Sequence, residues 1–331
     1  MSRLRKRIKR SLRVPFEWIG IVLALVIIVP LSRRALFGFC DVLSRVMYRF
    51  DGRGRRLALA NLHVIRGTCT GAEGTEAFNP KRGPYRPTPD EERIIRRSYR
   101  NMARSVGYAF WTLARARARC KETGEMASEV TAFLKANKPA VTVSGHIGCW
   151  EILSQLAFLE GHTMMSVAKD IGTRGMTRLL MAARRSIGQE IVSADGAFKP
   201  LMAGIRAGKS LGLLVDQRVS ARRGGIWIRF FGRPMPVSAA PAFFAAKAKA
   251  PIIVAWSHPL KDGRYRCEML DTISSDEARD IWGTTQRCAK DLEKIIRRHP
   301  SCWVLNYNYF RQSPTAEVLK TLAEREGAVR K

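Results

Sequence analysis

The central and C-terminal parts of the chain alternate short apolar runs with amphipathic stretches. From residue 138 onward the apolar runs are typical of buried strands, and the stretches between them repeat apolar residues at helical spacing. The predicted strands are 140–144, 163–168, 190–193, 211–215 and 252–256, and the predicted helices are 148–160, 174–187, 197–207 and 238–249. This alternation predicts an α/β domain, 138–315, in which helices flank a central, largely parallel sheet.

The N-terminus has a different pattern, in which a basic flank precedes an uncharged apolar run. Residues 1–13 carry seven Lys or Arg and no acid, and residues 18–32 carry no charge. Because arginines follow the run where a signal peptide would have a small-residue cleavage site, we expect it to stay attached as a membrane anchor. A helix over this run reaches about 22 Å, against a hydrocarbon core of about 30 Å. A tight span and a deep interfacial anchor are both open, and a buried core helix is the weaker alternative.

Residues 33–50 complete the N-terminal region, 1–50, with an amphipathic pattern. Its apolar residues recur at helical spacing, and its arginines keep to other faces: Leu36, Phe39, Leu43, Met47 and Phe50 against Arg33, Arg34, Arg45 and Arg49. Such a helix suits an anionic membrane surface, and packing on the main domain explains the pattern equally well. The basic flank favours a cytoplasmic N-terminus. We therefore expect a bilayer-attached protein with a single N-terminal anchor and its main domain on the cytoplasmic side.

The next region, 51–137, is predicted to be helical with one long loop. Residues 66–90 are rich in Gly, Pro and Thr and have no period, which is typical of a surface loop. The sequence Thr88-Pro89-Asp90-Glu91 then provides a cap, a first-turn proline and acids for a helix that we expect to reach about residue 117. At the other end of the chain, 316–331 is predicted to be a charged tail.

Composition narrows the classes of partner. The chain has 331 residues, a net charge of +30 and 46% hydrophobic residues, so it can bury a core and attract a polyanion. That polyanion is a nucleic acid, an anionic bilayer or a phosphorylated substrate. Nucleic acid is disfavoured because the cations are spread along the chain without a recognition motif. The seven cysteines form no CxxC pair and are interpreted as reduced thiols facing the cytosol.

The candidate chemistry follows the first predicted strand, in Gly145-His146-Ile147-Gly148-Cys149-Trp150-Glu151. Ligands bind at the carboxyl ends of parallel strands. A carboxylate behind an imidazole fixes its tautomer, so that the ring can deprotonate an alcohol. His146 and Glu151 can meet only if His146 lies in the turn before the helix. A serine hydrolase is disfavoured because no GxSxG motif is present, and Cys149 has neither a separate base nor further metal ligands.

These residues carry a resemblance to a known family. GHIGCWE resembles the H-x4-D/E motif of the glycerolipid acyltransferase superfamily. The rest of the chain resembles its bacterial lipid A late acyltransferase branch (lauroyl and myristoyl acyltransferases), which also includes phosphatidylinositol mannoside acyltransferases. The similarity covers roughly 15–315 and is carried by the ordered segments GRGRRLALANL, SYRNMARSVGYAFW, LLVDQ and IRFFGRPMPVSAAPAFFAAKAKAPIIVAW.

The resemblance implies a glycerolipid-acyltransferase-like fold and an O-acyltransferase without metal or cofactor. It implies transfer of a fatty acyl chain from an acyl carrier protein thioester to a hydroxyl of a phosphorylated glycolipid like Kdo2-lipid IVA, at the anionic inner membrane. His146 is then the general base and Glu151 its orienting partner, without a covalent acyl-enzyme. Arg184 or its neighbour Arg185, together with Asp216, is implied in substrate binding.

Two departures from the family pattern keep the acceptor open. Asp216-Gln217-Arg218 retains only the first acid of an acid-x-acid pattern, and Trp303–Asn308 replaces a Trp-x-x-His-Arg-Arg pattern. The alternatives are a lysophospholipid, an ornithine-type lipid or a phosphatidylinositol-mannoside-like acceptor. A non-enzymatic membrane-tethered or nucleic-acid-binding basic protein is the alternative of a different class. Candidates for an acyl groove, with ordinary core packing as the other interpretation, are Phe230, Phe231, Phe243 and Phe244.

Overall fold

A seven-stranded sheet forms the centre of the fold. The computed structural model describes residues 18, 20, 22–68, 85–168 and 174–329. The sheet strands are β1 Gly124–Met126, β2 Val141–Ser144, β3 Met164–Ala168, β4 Glu190–Ser193, β5 Ser210–Leu214, β8 Ile252–Pro259 and β9 Tyr265–Ile273. Their order is β1-β9-β8-β2-β5-β3-β4, and every neighbouring pair except β8–β9 is parallel. The predicted largely parallel α/β sheet is confirmed.

Helices cover both faces of this sheet. They are α1 Arg33–Phe50, α2 Gly52–Arg66, α3 Pro89–Trp111, α4 Ala116–Thr123, α5 Ser128–Ala136, α6 Trp150–Leu159, α7 Arg174–Ser186, α8 Phe198–Arg206, α9 Ala240–Ala248, α10 Ile281–Arg298 and α11 Ala316–Val329. The four helices predicted between the strands correspond to α6–α9. The segment interpreted as a charged tail contains α11.

The start of α3 agrees with the predicted cap. Thr88 accepts a hydrogen bond from the Glu91 backbone, and the Glu91 carboxylate accepts one from the Thr88 N–H at 2.8 Å. This reciprocal pair satisfies two N–H groups that the helix itself leaves unpaired. The helix ends at Trp111, short of residue 117, and Arg115 then takes a left-handed conformation with φ 53° before α4 begins. Of the long loop predicted over 66–90, residues 69–84 lie outside the described part of the chain.

The two-stranded hairpin of β6 Gly225–Phe230 and β7 Arg233–Ser238 lies outside the main sheet. Its two-residue turn places Phe231 and Gly232 at φ 51° and 75°. Turns with positive φ at both central residues match the right-handed twist of the two strands that they connect. The Phe231 N–H donates to Glu293 of α10 at 2.7 Å. The hairpin is therefore fixed against the helix layer.

The core lies on both faces of the sheet because successive strand residues point to opposite sides. In β8, Ile252 and Val254 pack in one buried cluster, whereas Ile253 and Ala255 pack in the other. Strands buried on both faces read as continuous apolar runs, which is why the sequence pattern identified them.

Helix α1 has two apolar faces. One face is buried against α3 and the sheet and consists of Leu36, Phe37, Cys40, Ser44 and Tyr48. The other carries apolar side chains that are 39–81% exposed, namely Phe39, Val42, Leu43, Val46 and Phe50. Packing on the main domain is thus present, and it leaves a second apolar stripe uncovered in the described structure. We call this second stripe the α1 apolar stripe.

The predicted N-terminal anchor is described only in part. Residues 22–28 are helical, and Val22, Leu23, Val26 and Ile27 are 51–66% exposed. Within the described residues, no helix combines the length and apolar character that crossing a bilayer requires. The basic flank, 1–13, lies outside those residues, so the anchor stays a prediction.

Candidate active site

A cleft of about 990 Å³ opens at the carboxyl ends of the parallel strands. His146 follows β2, Gln217 follows β5, and both line the cleft together with Glu151 and Arg184 from the helices. Two adjacent parallel strands therefore deliver their following loops to the same edge.

Strand register brings His146 to Asp216. Ser144 at the end of β2 is paired with Leu214 at the end of β5, so the residues two positions further along meet. The Nδ1 atom of His146 lies 2.8 Å from Oδ1 of Asp216, and the His146 backbone N–H donates to Oδ2 at 2.8 Å. The imidazole is thus fixed by its ring and by its backbone.

The Asp216 carboxylate is fully buried and accepts a third hydrogen bond. The indole Nε1–H of Trp303 donates to Oδ2 at 2.8 Å, and the Asp216 side chain is 0% exposed. Burial acts to raise the pKa of Asp216, but the charge of His146 and these hydrogen bonds outweigh it, so the pKa lies below its usual value. An ionised carboxylate only accepts hydrogen bonds, so Nδ1 of His146 must carry a proton, and in the neutral ring the lone pair is then on Nε2.

The Nε2 atom is the part of His146 left for chemistry. The His146 side chain is 22% exposed, and the amide nitrogen of Gln217 lies 3.3 Å from Nε2. The Trp150 ring packs beside the imidazole with a centroid distance of 5.2 Å. A group that binds Nε2 has to displace the Gln217 amide.

The turn that holds His146 depends on Gly148. Its φ is +61°, and a Cβ atom there would lie 2.0 Å from the carbonyl oxygen of Ser257. The Gly148 N–H donates to the Cys302 carbonyl at 2.8 Å, and the Cys149 N–H donates to Ser257 Oγ at 3.0 Å. The motif therefore needs glycine here for its backbone conformation and for space.

The predicted pairing of His146 with Glu151 is corrected by the structure. Arg184 binds Glu151 with Nε at 2.8 Å and Nη2 at 2.5 Å, and Trp150 Nε1 donates to it at 3.1 Å. Glu151 lies in the first turn of α6 and contacts α7, whereas strand register places Asp216 beside His146. Asp216, which the resemblance implied in substrate binding, holds the imidazole in this structure.

Of the two predicted arginines, Arg184 is the one that lines the cleft. Its side chain is 16% exposed, and Arg185 next to it is exposed. Burial acts to lower the pKa of Arg184, but the Glu151 carboxylate outweighs it, so the pKa lies above its usual value. The pair is a buried, bidentate ion pair beside the His146–Asp216 dyad.

Apolar side chains form the other wall of the cleft. Phe198 packs on Phe243 and Phe244 at centroid distances of 5.5 and 5.7 Å, and all three line the cleft. Phe230 and Phe231 instead pack on Trp303 in the core. Two of the four phenylalanines proposed for an acyl groove are therefore in position.

The segment Trp303–Asn308, which departs from the family pattern, lies outside the lining of the cleft. The buried Asn61 donates to the carbonyls of Leu305 and Tyr307, both at 2.7 Å. The described lining of the cleft contains none of Asn306, Tyr307 or Asn308. Asn61 therefore holds the backbone of this segment, and none of these three residues lines the cavity.

A nucleophilic cysteine or a metal centre finds no support among the described residues. Cys149 is 0% exposed, and burial raises the pKa of its thiol. Within the same residues no group of three or more His, Cys, Asp or Glu is placed to hold a metal ion.

Trp303 and Gln217 are site residues that the sequence interpretation did not assign a role. Gln217 follows Asp216 in LLVDQ, so the end of the predicted strand already indicated that it lies at the same edge of the sheet. Trp303 lies 87 residues from Asp216 in sequence and reaches it only through tertiary structure. No local pattern identifies such a contact.

Replacing Trp303 by phenylalanine tests this contact. The change removes the indole N–H and keeps an aromatic ring against Tyr309, so Asp216 loses one of three donors. A hydrogen bond to a charged group contributes about 1.5–3 kcal/mol, so we expect kcat to fall roughly tenfold or more with KM little changed. Steady-state kinetics of the purified variant measure this. Trp282→Phe is the matched control, because it loses an indole bond to the Trp227 carbonyl, and an equal fall in kcat there would contradict the role of Trp303.

Comparison with known proteins identifies a family for these residues. A model described as bacterial lipid A biosynthesis acyltransferase matches residues 84–312, which is more than half of the chain and includes both the His146–Asp216 and the Glu151–Arg184 pairs. None of the curated proteins matches the chain significantly.

Proposed function

The chain belongs to the bacterial lipid A biosynthesis acyltransferase family, it is an acyltransferase, and we propose that acyl carrier protein thioesters are its donors. The family implies an acceptor glycolipid of lipid A type. We further propose that the acceptor is a phosphorylated precursor like Kdo2-lipid IVA. The observation that carries the proposal is the His146–Asp216 dyad at the edge of an apolar cleft.

In the proposed mechanism His146 is the general base. Its Nε2 takes the proton of the acceptor hydroxyl while that oxygen attacks the thioester carbonyl carbon. The new C–O bond forms, the C–S bond breaks, and the leaving carrier thiolate takes the proton back from Nε2. Asp216 holds the ring and stabilises the imidazolium between these two steps.

Charged and apolar features of the cleft support the substrate class. The wall around Phe198, Phe243 and Phe244 suits an acyl chain. Arg223 lines the same cleft, is 55% exposed and pairs with Asp195 at 3.2 Å, so a substrate phosphate can compete for it. We propose Arg184 as a group that orients a substrate oxygen from its fixed position on Glu151.

We also propose that the enzyme works on the cytoplasmic side of the inner membrane, held by its N-terminal segment. The exposed apolar side chains of 22–28 and the α1 apolar stripe support this location. A lipid acceptor reaches the cleft most readily when the protein lies on the bilayer that contains it.

The test is an assay of the purified protein with each donor and acceptor. The donors are acyl carrier protein thioesters and acyl-CoA, and the acceptors are a lipid A precursor, a lysophospholipid, an ornithine lipid and a phosphatidylinositol mannoside. We expect acylation of the lipid A precursor from the carrier protein thioester, and loss of that acyl chain from the lipid A of a deletion strain by mass spectrometry. Acylation of a lysophospholipid alone would contradict the proposed acceptor, and a preference for acyl-CoA would contradict the proposed donor.

A further inference from the structure

A second pocket lies between α1 and α3, apart from the cleft. It has a volume of about 420 Å³, and none of the residues that line it lines the cleft. Five arginines line it, Arg45 from α1 and Arg93, Arg96, Arg97 and Arg100 from α3. Their spacing of three and four residues places the α3 arginines along one side of that helix, where like charges repel each other.

The acids of this pocket are already occupied. Asp41 accepts two hydrogen bonds from Arg104, both at 2.7 Å, and Glu92 accepts from Arg96 at 2.6 Å. Arg93 pairs with Asp90 at 2.5 Å. Each of these carboxylates is therefore already paired with an arginine, and the pocket has an excess of positive charge.

That excess resides on Arg45, Arg97 and Arg100. Within the described part of the chain, no hydrogen bond or ion pair joins these three guanidinium groups to another side chain, and the Nε atom of Arg100 is buried without a partner. Three guanidinium groups without local counter-ions in one pocket favour a bound anion, because it reduces the repulsion between them. The guanidinium fork matches phosphate oxygens in particular.

The surroundings of the pocket indicate where such a phosphate comes from. Arg45 is directly followed by Val46 and comes two residues after Leu43, and these two members of the α1 apolar stripe are 48% and 42% exposed. A free anion or a nucleic acid has no apolar portion to cover these side chains, whereas a lipid in a bilayer presents its phosphate beside its acyl chains.

We propose that the pocket between α1 and α3 binds the phosphate headgroup of an anionic phospholipid while the α1 apolar stripe enters the bilayer surface. The site is separate from the acyl-transfer site. It rests on the proposed membrane location and makes membrane binding selective for anionic phospholipids. It does not depend on which lipid is acylated.

The experiment compares binding of the full-length protein to vesicles of phosphatidylcholine alone and mixed with phosphatidylglycerol. The test variant is Arg45→Gln with Arg97→Gln, two exposed side chains. The control variant is Arg279→Gln with Arg325→Gln, which removes the same charge from exposed positions that do not line the pocket. We expect the test variant to bind phosphatidylglycerol vesicles about thirtyfold more weakly than the control, about 1 kcal/mol for each cation, with equal binding to phosphatidylcholine.

Acyl transfer in detergent is measured on the same variants, and equal activity excludes misfolding as the cause of weak binding. Arg97→Gln alone, with an expected loss of about fivefold, replaces the double variant if that variant is unfolded. Equal affinity of the test and control variants for phosphatidylglycerol vesicles would overturn the proposal. So would a selective loss of binding to acyl carrier protein or to an oligonucleotide, or wild-type binding of free glycerol phosphate as tight as binding to vesicles. A failed acyl-transfer assay with intact vesicle selectivity would count against the proposed function and leave this site standing.

Discussion

Replacing His146 by alanine is expected to lower kcat for acyl transfer by roughly 10²- to 10⁴-fold, because it removes the proposed base. Asp216→Asn is expected to approach the same loss. An asparagine amide in place of the carboxylate can donate to Nδ1, which moves the ring proton to Nε2 and blocks proton uptake. Because the two residues act as one unit, the double variant should be little slower than either single variant. Single-turnover rates of purified protein measure the effect.

The histidine control is His63→Ala. His63 bonds Glu91 outside the cleft, with Nε2 and Oε1 3.0 Å apart, so its removal should leave the rate nearly unchanged. A folded His146→Ala variant with near wild-type turnover would show that the base lies elsewhere. A folded Asp216→Asn variant with full activity would remove the proposed role of the buried carboxylate.

The second large effect is on stability and comes from the Glu151–Arg184 pair. Glu151→Ala leaves the Arg184 guanidinium buried without its carboxylate, and removing one partner of a buried pair costs about 3–5 kcal/mol. We expect a loss of that size in urea unfolding of detergent-solubilised protein. Arg184→Lys should also destabilise, because an ammonium cannot make the bidentate contact. Asp276→Ala, at an exposed pair with Arg279, is the control and should change stability by less than about 1 kcal/mol.

The combined variant Glu151→Leu with Arg184→Met separates stability from chemistry. Buried pairs are often replaced by apolar groups of similar volume at little cost, so much of the lost stability should return. We expect acyl transfer to stay impaired, because the proposed contact of Arg184 with the substrate is gone. If the double variant recovers activity together with stability, the pair has only a structural role. An unchanged unfolding midpoint in Glu151→Ala would contradict the ion pair itself.

The strands and the general position of the site were accessible from the sequence. Apolar runs such as 140–144 and 211–215 identify strands buried on both faces, and the carboxyl-edge argument selects His146 from five histidines. What periodicity does not encode is which strands are neighbours. Because β5 lies beside β2, Asp216 reaches His146, while the neighbouring Glu151 in the motif turns to Arg184.

Other elements escaped prediction because their signals are weak or non-local. The hairpin strands contain Pro234 and Pro236 and turn at Phe231-Gly232, so the segment reads as one interrupted apolar run. Proline is tolerated in β7 because that strand pairs on one side only, with β6. The contact of Trp303 with Asp216 forms only when the fold brings distant segments together. The local sequence preferences for helix or strand therefore do not predict it.

Glu151 and Asp216 bind different partners, and this determines how the net charge of the site changes during the proposed reaction. Arg184 neutralises Glu151, and in the neutral form of His146 that the proposed base mechanism requires, ionised Asp216 leaves one negative charge. In the proposed mechanism the captured proton cancels that charge at the moment when the tetrahedral intermediate gains one on its oxygen. The total charge of enzyme and substrate in the cleft is the same before and after proton capture. The apolar wall of the cleft therefore never has to solvate a change in net charge. It has to accommodate only the separation of a positive charge on the His146 imidazolium, beside ionised Asp216, from a negative charge on the oxygen of the intermediate.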